Sequence, residues 1–314
     1  MKGLFVVVAI LLLVAVLWWE STHSHHKTAP PTVTLTISGA FSIYPLVEKW
    51  GEAFKALHPE VKLNISAGGA GKGMTDTLAG AVDIGMVSRE VDKAEIAKGA
   101  FPIFIAKDAV FPVINTANPA RAQIAAHGIS LATFRKIFVE GSVTDWAQAA
   151  GGPKVPIHLY TRSDACGAAS AWASTLGKYK QENLKGIGIN GDPGLLDAVR
   201  KDPAGLGYNN LGFLFTAENT ADGVLIVPID VKGNGQLDAH ARIDTRDQAY
   251  QEIASGRYPG ARREYLVTKG PPAGIAQAFI AYTLSPSGIA LLKSQGGYVP
   301  LSDGEISKEQ AKLH

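Results

Sequence analysis

The chain of 314 residues has a single cysteine, Cys166, so an intramolecular disulfide and a CxxC metal site are excluded. The net charge is also small, since 30 basic and 28 acidic residues leave +2. The sequence has no basic run and no RNA-binding signature, so nothing indicates a nucleic-acid-binding protein. Neither a metal-ligand cluster nor a Ser-His-Asp order is visible, which argues against an enzyme. The 46% hydrophobic content is enough for a large core, and the length suggests about two domains.

The N-terminus carries an uninterrupted apolar run from Leu4 to Trp19. The run is long for the core of a signal peptide and slightly short for a membrane-spanning helix, which needs ~20 residues. No Ala-x-Ala cleavage site follows closely. We therefore expect residues 1–19 to form an uncleaved anchor helix, with a cleaved export signal as the alternative, and residues 20–32 to form a polar tether.

A glycine-rich turn organises the region after the first predicted helix. The segment SAGGAGKGM follows the strand-like run LNIS and precedes apolar residues at helical spacing, which predicts a strand, a turn and a helix. Such a turn exposes backbone N–H groups, and the helix start adds unpaired donors and the positive end of the dipole. The pattern favours anion binding. It is not a Walker A loop, and a flexible surface loop is the alternative.

Two further segments repeat this arrangement. A strand at Val33–Ile37 is followed by SGAFS and a helix, so the Phe41 N–H and the Ser42 hydroxyl would lie at its carboxyl end. A strand at Val155–Tyr160 is followed by TRSDACGAAS and another helix. We interpret the repeated turns as one ligand site at the carboxyl ends of neighbouring strands.

The third turn also carries charge. Asp164 could hold the Arg162 guanidinium in register for a planar oxyanion, and a structural ion pair is the alternative. Cys166 lacks a surrounding Cys-His motif, so a small buried thiol is favoured over a nucleophile. The segment VDIGMVSRE reads as a strand that ends in a hydroxyl and a guanidinium, Ser88 and Arg89.

Six motifs occur in the order found in phosphate-binding proteins of ABC transporters. They are SGAFSIYPLVEKW, ISAGGAGKGM, VDIGMVSRE, YTRSDACGAASAW, DPAGLGY and SPSGIALLKSQGGYVPL. The resemblance covers Thr32 to Leu301 and implies an α/β, two-lobed type II periplasmic binding protein fold with two crossover strands. We place these strands near 109–115 and 263–267. Lobe 1 is then expected at residues 33–112 and 265–314, and lobe 2 at residues 113–264.

The resemblance also implies a set of anion-binding positions. They are Phe41, Ser42, Gly69, Ala70, Gly71, Ser88, Arg89, Arg162, Asp164, Cys166, Gly167 and Ala168. Hydroxyl donors that the family usually has at Ala70, Cys166 and Ala168 are missing here. Some members end the DIG segment in an aspartate that accepts the proton of hydrogen phosphate. Ser88-Arg89 stands there instead, so Asp164 is our predicted acceptor.

The function that this resemblance implies is binding without chemistry. We expect an extracytoplasmic, membrane-tethered monomer that captures inorganic phosphate between its lobes and delivers it to an ABC permease in the inner membrane. No cofactor, metal or nucleic acid is expected. The alternatives are a binder of another tetrahedral oxyanion (sulfate or molybdate), a ligand-sensing partner of a membrane signalling protein, and, less favoured, a phosphatase on a related scaffold.

Overall fold

The computed structural model describes residues 33–216 and 219–313, so the predicted anchor helix and tether lie outside the described residues. Within the described ranges, no single helix is long and apolar enough to cross a membrane. Two consecutive helices, Gly274–Thr283 and Pro286–Gln295, satisfy the length and composition criteria only as a pair, and they are bent by 60°.

Strands and helices alternate along most of the chain. The strands are β1 (Val33–Gly39), β2 (Val61–Ala67), β3 (Ile84–Val87), β4 (Ala100–Asn115), β5 (Ile129–Ser130), β6 (His158–Arg162), β7 (Ile187–Ile189), β8 (Gly205–Asn210), β9 (Phe215–Thr216), β10 (Asn219–Thr220), β11 (Val224–Ile226), β12 (Ile229–Asp230) and β13 (Ala261–Lys269). The helices are α1 (Tyr44–Leu57), α2 (Ala70–Ala79), α3 (Lys93–Ala97), α4 (Arg121–His127), α5 (Leu131–Arg135), α6 (Trp146–Ala150), α7 (Gly167–Thr175), α8 (Asp192–Lys201), α9 (Leu211–Leu214), α10 (Arg246–Ala254), α11 (Gly274–Thr283), α12 (Pro286–Gln295) and α13 (Asp303–Gln310).

The main sheet of the described chain is mixed and has nine strands. Its order is β2-β1-β3-β13-β4-β8-β6-β7, and β11 also pairs with β4. Strand β3 is parallel to β1, whereas β13 is antiparallel to both β3 and β4. In the other half, β8 is antiparallel to β4 and parallel to β6. The chain therefore has two α/β halves that meet at the pair β4 and β13.

Each half has its own hydrophobic core, which gives the fold two lobes. Lobe 1 is centred on Trp50 and Phe54, which the helical stripe of α1 turns inward. Lobe 2 is centred on Phe138, Trp172 and Tyr208, whose rings contact one another in pairs. Because the two cores are separate clusters of buried side chains, the chain has the two-lobed mixed α/β architecture expected from its motifs. The residue boundaries of the lobes remain predictions.

Strand β4 is longer than the sequence pattern indicates. The charged residues Lys107 and Asp108 separate two apolar runs, 101–105 and 109–115, and we placed a crossover strand only near the second. In the structure one strand covers both runs, because Asp108 pairs with Arg262 on β13 at 2.8 Å and Lys107 pairs with Glu305 at 3.1 Å. The backbone of Lys107 also bridges to Val299. The charges are thus accommodated inside the ladder rather than ending it.

Candidate functional site

The side chain of Arg162 lies at the centre of the candidate site and is 1% exposed. It ends β6, and its Nε and Nη2 donate to the two carboxylate oxygens of Asp164 at 2.8 and 2.6 Å. Its Nη1 lies 2.8 Å from Oδ2 of Asp192, at the start of α8. Burial alone would lower the pKa of Arg162, but the carboxylate of Asp192 and that of Asp164 raise it above its ordinary value. The guanidinium is therefore a fixed cation, held from two sides.

Lobe 1 meets this arginine through its first and second loops. The Phe41 ring lies 5.3 Å from Cζ of Arg162. The N–H of Gly71 donates to the carbonyl of Ala165 at 3.1 Å, directly across the two lobes. A β-carbon on Gly69, whose φ is 91°, would lie 2.4 Å from the same carbonyl and 3.2 Å from Oδ2 of Asp164. The glycines thus let the start of α2, at Ala70, approach the Arg162 loop.

A second contact between the lobes joins the end of β3 to the start of α7. A β-carbon on Gly167 would lie 1.9 Å from the hydroxyl oxygen of Ser88 and 2.3 Å from its carbonyl oxygen. Ser88 is buried, and α7 continues from Gly167 through Ala168. The N-terminal turns of α2 and α7 therefore both lie beside residues that the sequence places in the site.

Cys166 is the residue that caps α7. Its Sγ accepts a hydrogen bond from the N–H of Ala169 at 3.4 Å, and its own N–H donates to the Gln181 side chain. Burial raises the pKa of the Cys166 thiol to about 12, and the nearby Arg162 only partly opposes this. The thiol is therefore un-ionised near neutral pH, and its position is that of a helix cap.

Two predicted site residues have other partners. The Arg89 guanidinium donates to both carboxylate oxygens of Glu95, at 2.9 and 2.7 Å, and to the carbonyl of Glu90. The Ser42 hydroxyl donates to Oε1 of Glu264 at 2.9 Å, on β13. The structure thus brings Phe41, Gly69–Gly71, Ser88, Arg162–Asp164 and Cys166–Ala168 together, with Ser42 next to Phe41 in the first loop, whereas Arg89 follows β3 and pairs with Glu95 on α3.

Sequence reasoning missed a chain of buried polar residues that links the two lobes beneath these loops. Asp192 accepts from the side chain of Asn210, and Arg262 donates to Asn210 and to Asp108. Arg262 also lies 3.4 Å from Glu264, which contacts Ser42. Arg262 and Glu264 alternate on β13 ahead of the apolar run Tyr265–Val267, and this is the signal that would have indicated a charged, inward-facing pair.

Comparison with known proteins identifies the family to which this two-lobed fold belongs. The profile of the PBP superfamily domain matches residues 25–287. A protein named phosphate-binding protein PstS, from Bacillus subtilis, is 26% identical over 279 residues, which cover 88% of this chain and 83% of the relative. Protein SphX from Synechococcus elongatus is 25% identical, over 85% of this chain and 77% of that protein.

Solved structures show the same architecture. A phosphate ABC transporter substrate-binding protein from Clostridium perfringens, described as putative and solved with bound phosphate, superposes with a TM-score of 0.71. The match has 23% identity and covers 86% of this chain and 100% of that protein. At this identity the similarity establishes the fold. With its two cores, its loops converging on a buried arginine and a domain match over most of its length, the chain belongs to the PBP superfamily.

Proposed function

We propose that this protein is an extracytoplasmic substrate-binding protein that captures inorganic phosphate between its lobes and delivers it to an ABC permease. The observation that carries the proposal is the Arg162 guanidinium, which is buried and held in one orientation where loops from both lobes converge. The names of the relatives support phosphate as the anion and transport as the role.

The geometry suits a tetrahedral oxyanion. The first turns of α2 and α7 have backbone N–H groups without an acceptor in their own helices, and those other than Gly71 and Ala169, which already donate elsewhere, can bond an anion. Helix dipoles add positive potential at the same ends. Arg162 supplies the fixed charge, and Phe41 covers its face. An anion bound among these groups would exchange water for preorganised donors, in the way that charge-assisted hydrogen bonds favour.

Lobe closure is the mechanism we propose for capture. The contacts Gly71–Ala165 and Ser88–Gly167 join loops of opposite lobes, and both depend on glycine. The strands β4 and β13 connect the lobes and would act as the hinge. A ligand that contacts both lobes then favours the closed arrangement, which is the form a permease could recognise.

Selectivity for phosphate over sulfate requires an acceptor for the proton that phosphate carries. Asp164 was the expected acceptor. Its Oδ1 accepts from Arg162 and from the N–H of Gly191, and its Oδ2 accepts from Arg162. This engagement makes Asp164 a residue that orients the arginine and leaves it little capacity as an acceptor for the ligand.

Calorimetric titration with phosphate, sulfate and molybdate tests the proposal, together with mass spectrometry of the anion in protein purified from its native source. We expect phosphate to bind most tightly and Arg162→Lys to weaken it by about tenfold or more, because lysine cannot make the planar contact. Arg135→Lys is the matched control, since Arg135 forms an exposed pair with Glu140. Equal affinity for sulfate would instead identify a general oxyanion binder.

The remaining parts of the proposal concern location and partners. We propose that the protein is monomeric and is tethered outside the cytoplasm by its apolar N-terminus. N-terminal sequencing of native protein separates an anchor from a removed signal. Growth on limiting phosphate with the gene deleted separates transport from a sensing role. A phosphatase assay with and without divalent metal tests the least favoured alternative.

A further inference from the structure

The carboxyl group of Glu264 is buried within the hinge strand β13 and is 0% exposed. In the pairing of β13 with β4, Arg262 lies opposite Asp108. Glu264 is two residues further along β13 and therefore points to the same face as Arg262. Oε1 of Glu264 accepts the hydrogen bond from the Ser42 hydroxyl at 2.9 Å. Among the described side chains and backbone, Oε2 has no hydrogen-bond donor. Burial of an ionised carboxylate with one oxygen that accepts no hydrogen bond would lower the stability of the folded protein.

A proton on Glu264 itself removes this cost. Burial raises the pKa of Glu264 well above its ordinary value; Arg262 opposes the shift, while the charge of Asp108 and hydrogen-bonding contact with it reinforce the shift. With that proton on the Asp108 side of Glu264, Oε1 is a carbonyl oxygen, and it accepts from Ser42 in either protonation state.

The Ser42 hydroxyl has one hydrogen and two lone pairs. Because the hydrogen is donated to Glu264, the oxygen can only accept from a ligand. The carbonyl of Ser42 also accepts from the Tyr298 hydroxyl at 2.6 Å, which fixes the residue in place. The Ser42 hydroxyl thus offers a ligand lone pairs and no hydrogen.

We infer that Glu264 is a specificity-determining residue, which holds Ser42 Oγ as the acceptor for the proton of a bound hydrogen phosphate. The inference rests on the proposed function and names the group that replaces the aspartate missing after Asp83-Ile84-Gly85. Phosphate near neutral pH keeps at least one proton, so it can donate to Ser42. Sulfate carries no proton, and its oxygen would face the lone pairs of Ser42 with no hydrogen between them.

The test is competition of phosphate and sulfate at pH 7 for the wild-type protein and three variants, with the ratio of the two Kd values as the readout. Glu264→Leu removes the acceptor that holds the Ser42 hydrogen, so Ser42 can turn and donate to either anion. We expect the preference for phosphate to fall by about tenfold or more. Glu264→Gln keeps a carbonyl oxygen for Ser42 and an amide donor for Asp108, and should restore the wild-type ratio. Ser42→Ala removes the acceptor itself and should lower the ratio as Glu264→Leu does.

If the role of Glu264 is purely structural, Glu264→Leu should lower the affinities for phosphate and sulfate by the same factor. That result would overturn the inference. An unchanged ratio in Ser42→Ala also overturns it, and this variant decides the matter if circular dichroism shows that Glu264→Leu does not fold. Wild-type protein that binds no phosphate would overturn the proposed function itself. Wild-type protein that prefers phosphate, with variants that keep the same ratio, would overturn only the role of Glu264.

Discussion

Nη1 of Arg162 lies 2.8 Å from Oδ2 of Asp192, and the two side chains are 1% and 3% exposed. Removal of the arginine would leave Asp192 and Asp164 buried without their cation. We therefore expect Arg162→Ala to lower the free energy of unfolding by roughly 3–5 kcal/mol as well as to remove anion binding. Urea denaturation measures the first effect. Arg135→Ala, at an exposed ion pair, should cost no more than about 1 kcal/mol, and an equal loss in both variants would contradict the structural role of Arg162.

The close approach of α7 to Ser88 predicts a variant that folds but does not close. Gly167 has no positive φ, so alanine suits its backbone, yet the added carbon would meet Ser88 at 1.9 Å. Gly167→Ala should weaken phosphate binding by about tenfold or more and leave the ligand-free melting temperature within a few degrees. Gly304→Ala is the matched control because no atom of residues 33–216 or 219–313 lies within 4 Å of a β-carbon there. Unchanged affinity in Gly167→Ala would show that this contact is not part of the bound form.

The buried Glu264 makes stability depend on pH in a defined direction. Its pKa is above the ordinary 4.5 in the folded protein, so the folded chain keeps a proton that the unfolded chain releases. The free energy of unfolding should therefore fall as the pH rises above about 4.5, until the raised pKa is passed. Glu264→Gln should remove this contribution. We expect its stability relative to wild type to grow by up to about 1.4 kcal/mol for each pH unit.

Denaturation of both proteins between pH 5 and pH 8 measures that difference. The pKa of Asp192 is also raised by burial, and its contribution has the same sign. Because Asp192 is present in both proteins, the comparison isolates Glu264. Parallel pH profiles would contradict a proton held by Glu264.

The thiol of Cys166 should be unreactive in the folded protein. Burial raises its pKa to about 12, and its sulfur accepts from the N–H of Ala169. Reaction with a disulfide reagent at pH 8 should be slow in buffer and complete in urea, where one thiol per chain becomes available. Rapid reaction of the folded protein would show that the start of α7 opens to solvent.

Local sequence patterns were sufficient to predict the strands, turns and helices that surround the site. The turns before α1, α2 and α7 were recognisable because glycine, proline and helical spacing act within a few residues. The same kind of pattern could not show that Arg89 pairs with Glu95. That pairing arises because Glu95 closes the capping box at the start of α3 and so lies within reach of the guanidinium.

Contacts between residues that lie far apart in the sequence could not be predicted from local patterns. Asp108 and Arg262 are 154 residues apart, and only the pairing of β4 with β13 brings them together. A strand pattern indicates which face is buried but not which strand supplies the neighbour. The same limit hid Asp192, whose role depends on the position of α8 beside Arg162. The sequence therefore showed the charged residues themselves, but it could not show that they contact one another in the folded protein.

Strand β13 lies between β3 and β4 in the sheet, although residues 116–260 separate it from β4 along the chain. On the ribosome, β1 to β4 emerge first, but their sheet lacks its central strand until residue 269 has been made. The buried core of lobe 2 is formed almost entirely by residues 109–258, so it can assemble before then. Synthesis therefore favours a vectorial order in which the middle of the chain folds first, and the half that is translated earliest completes its core last.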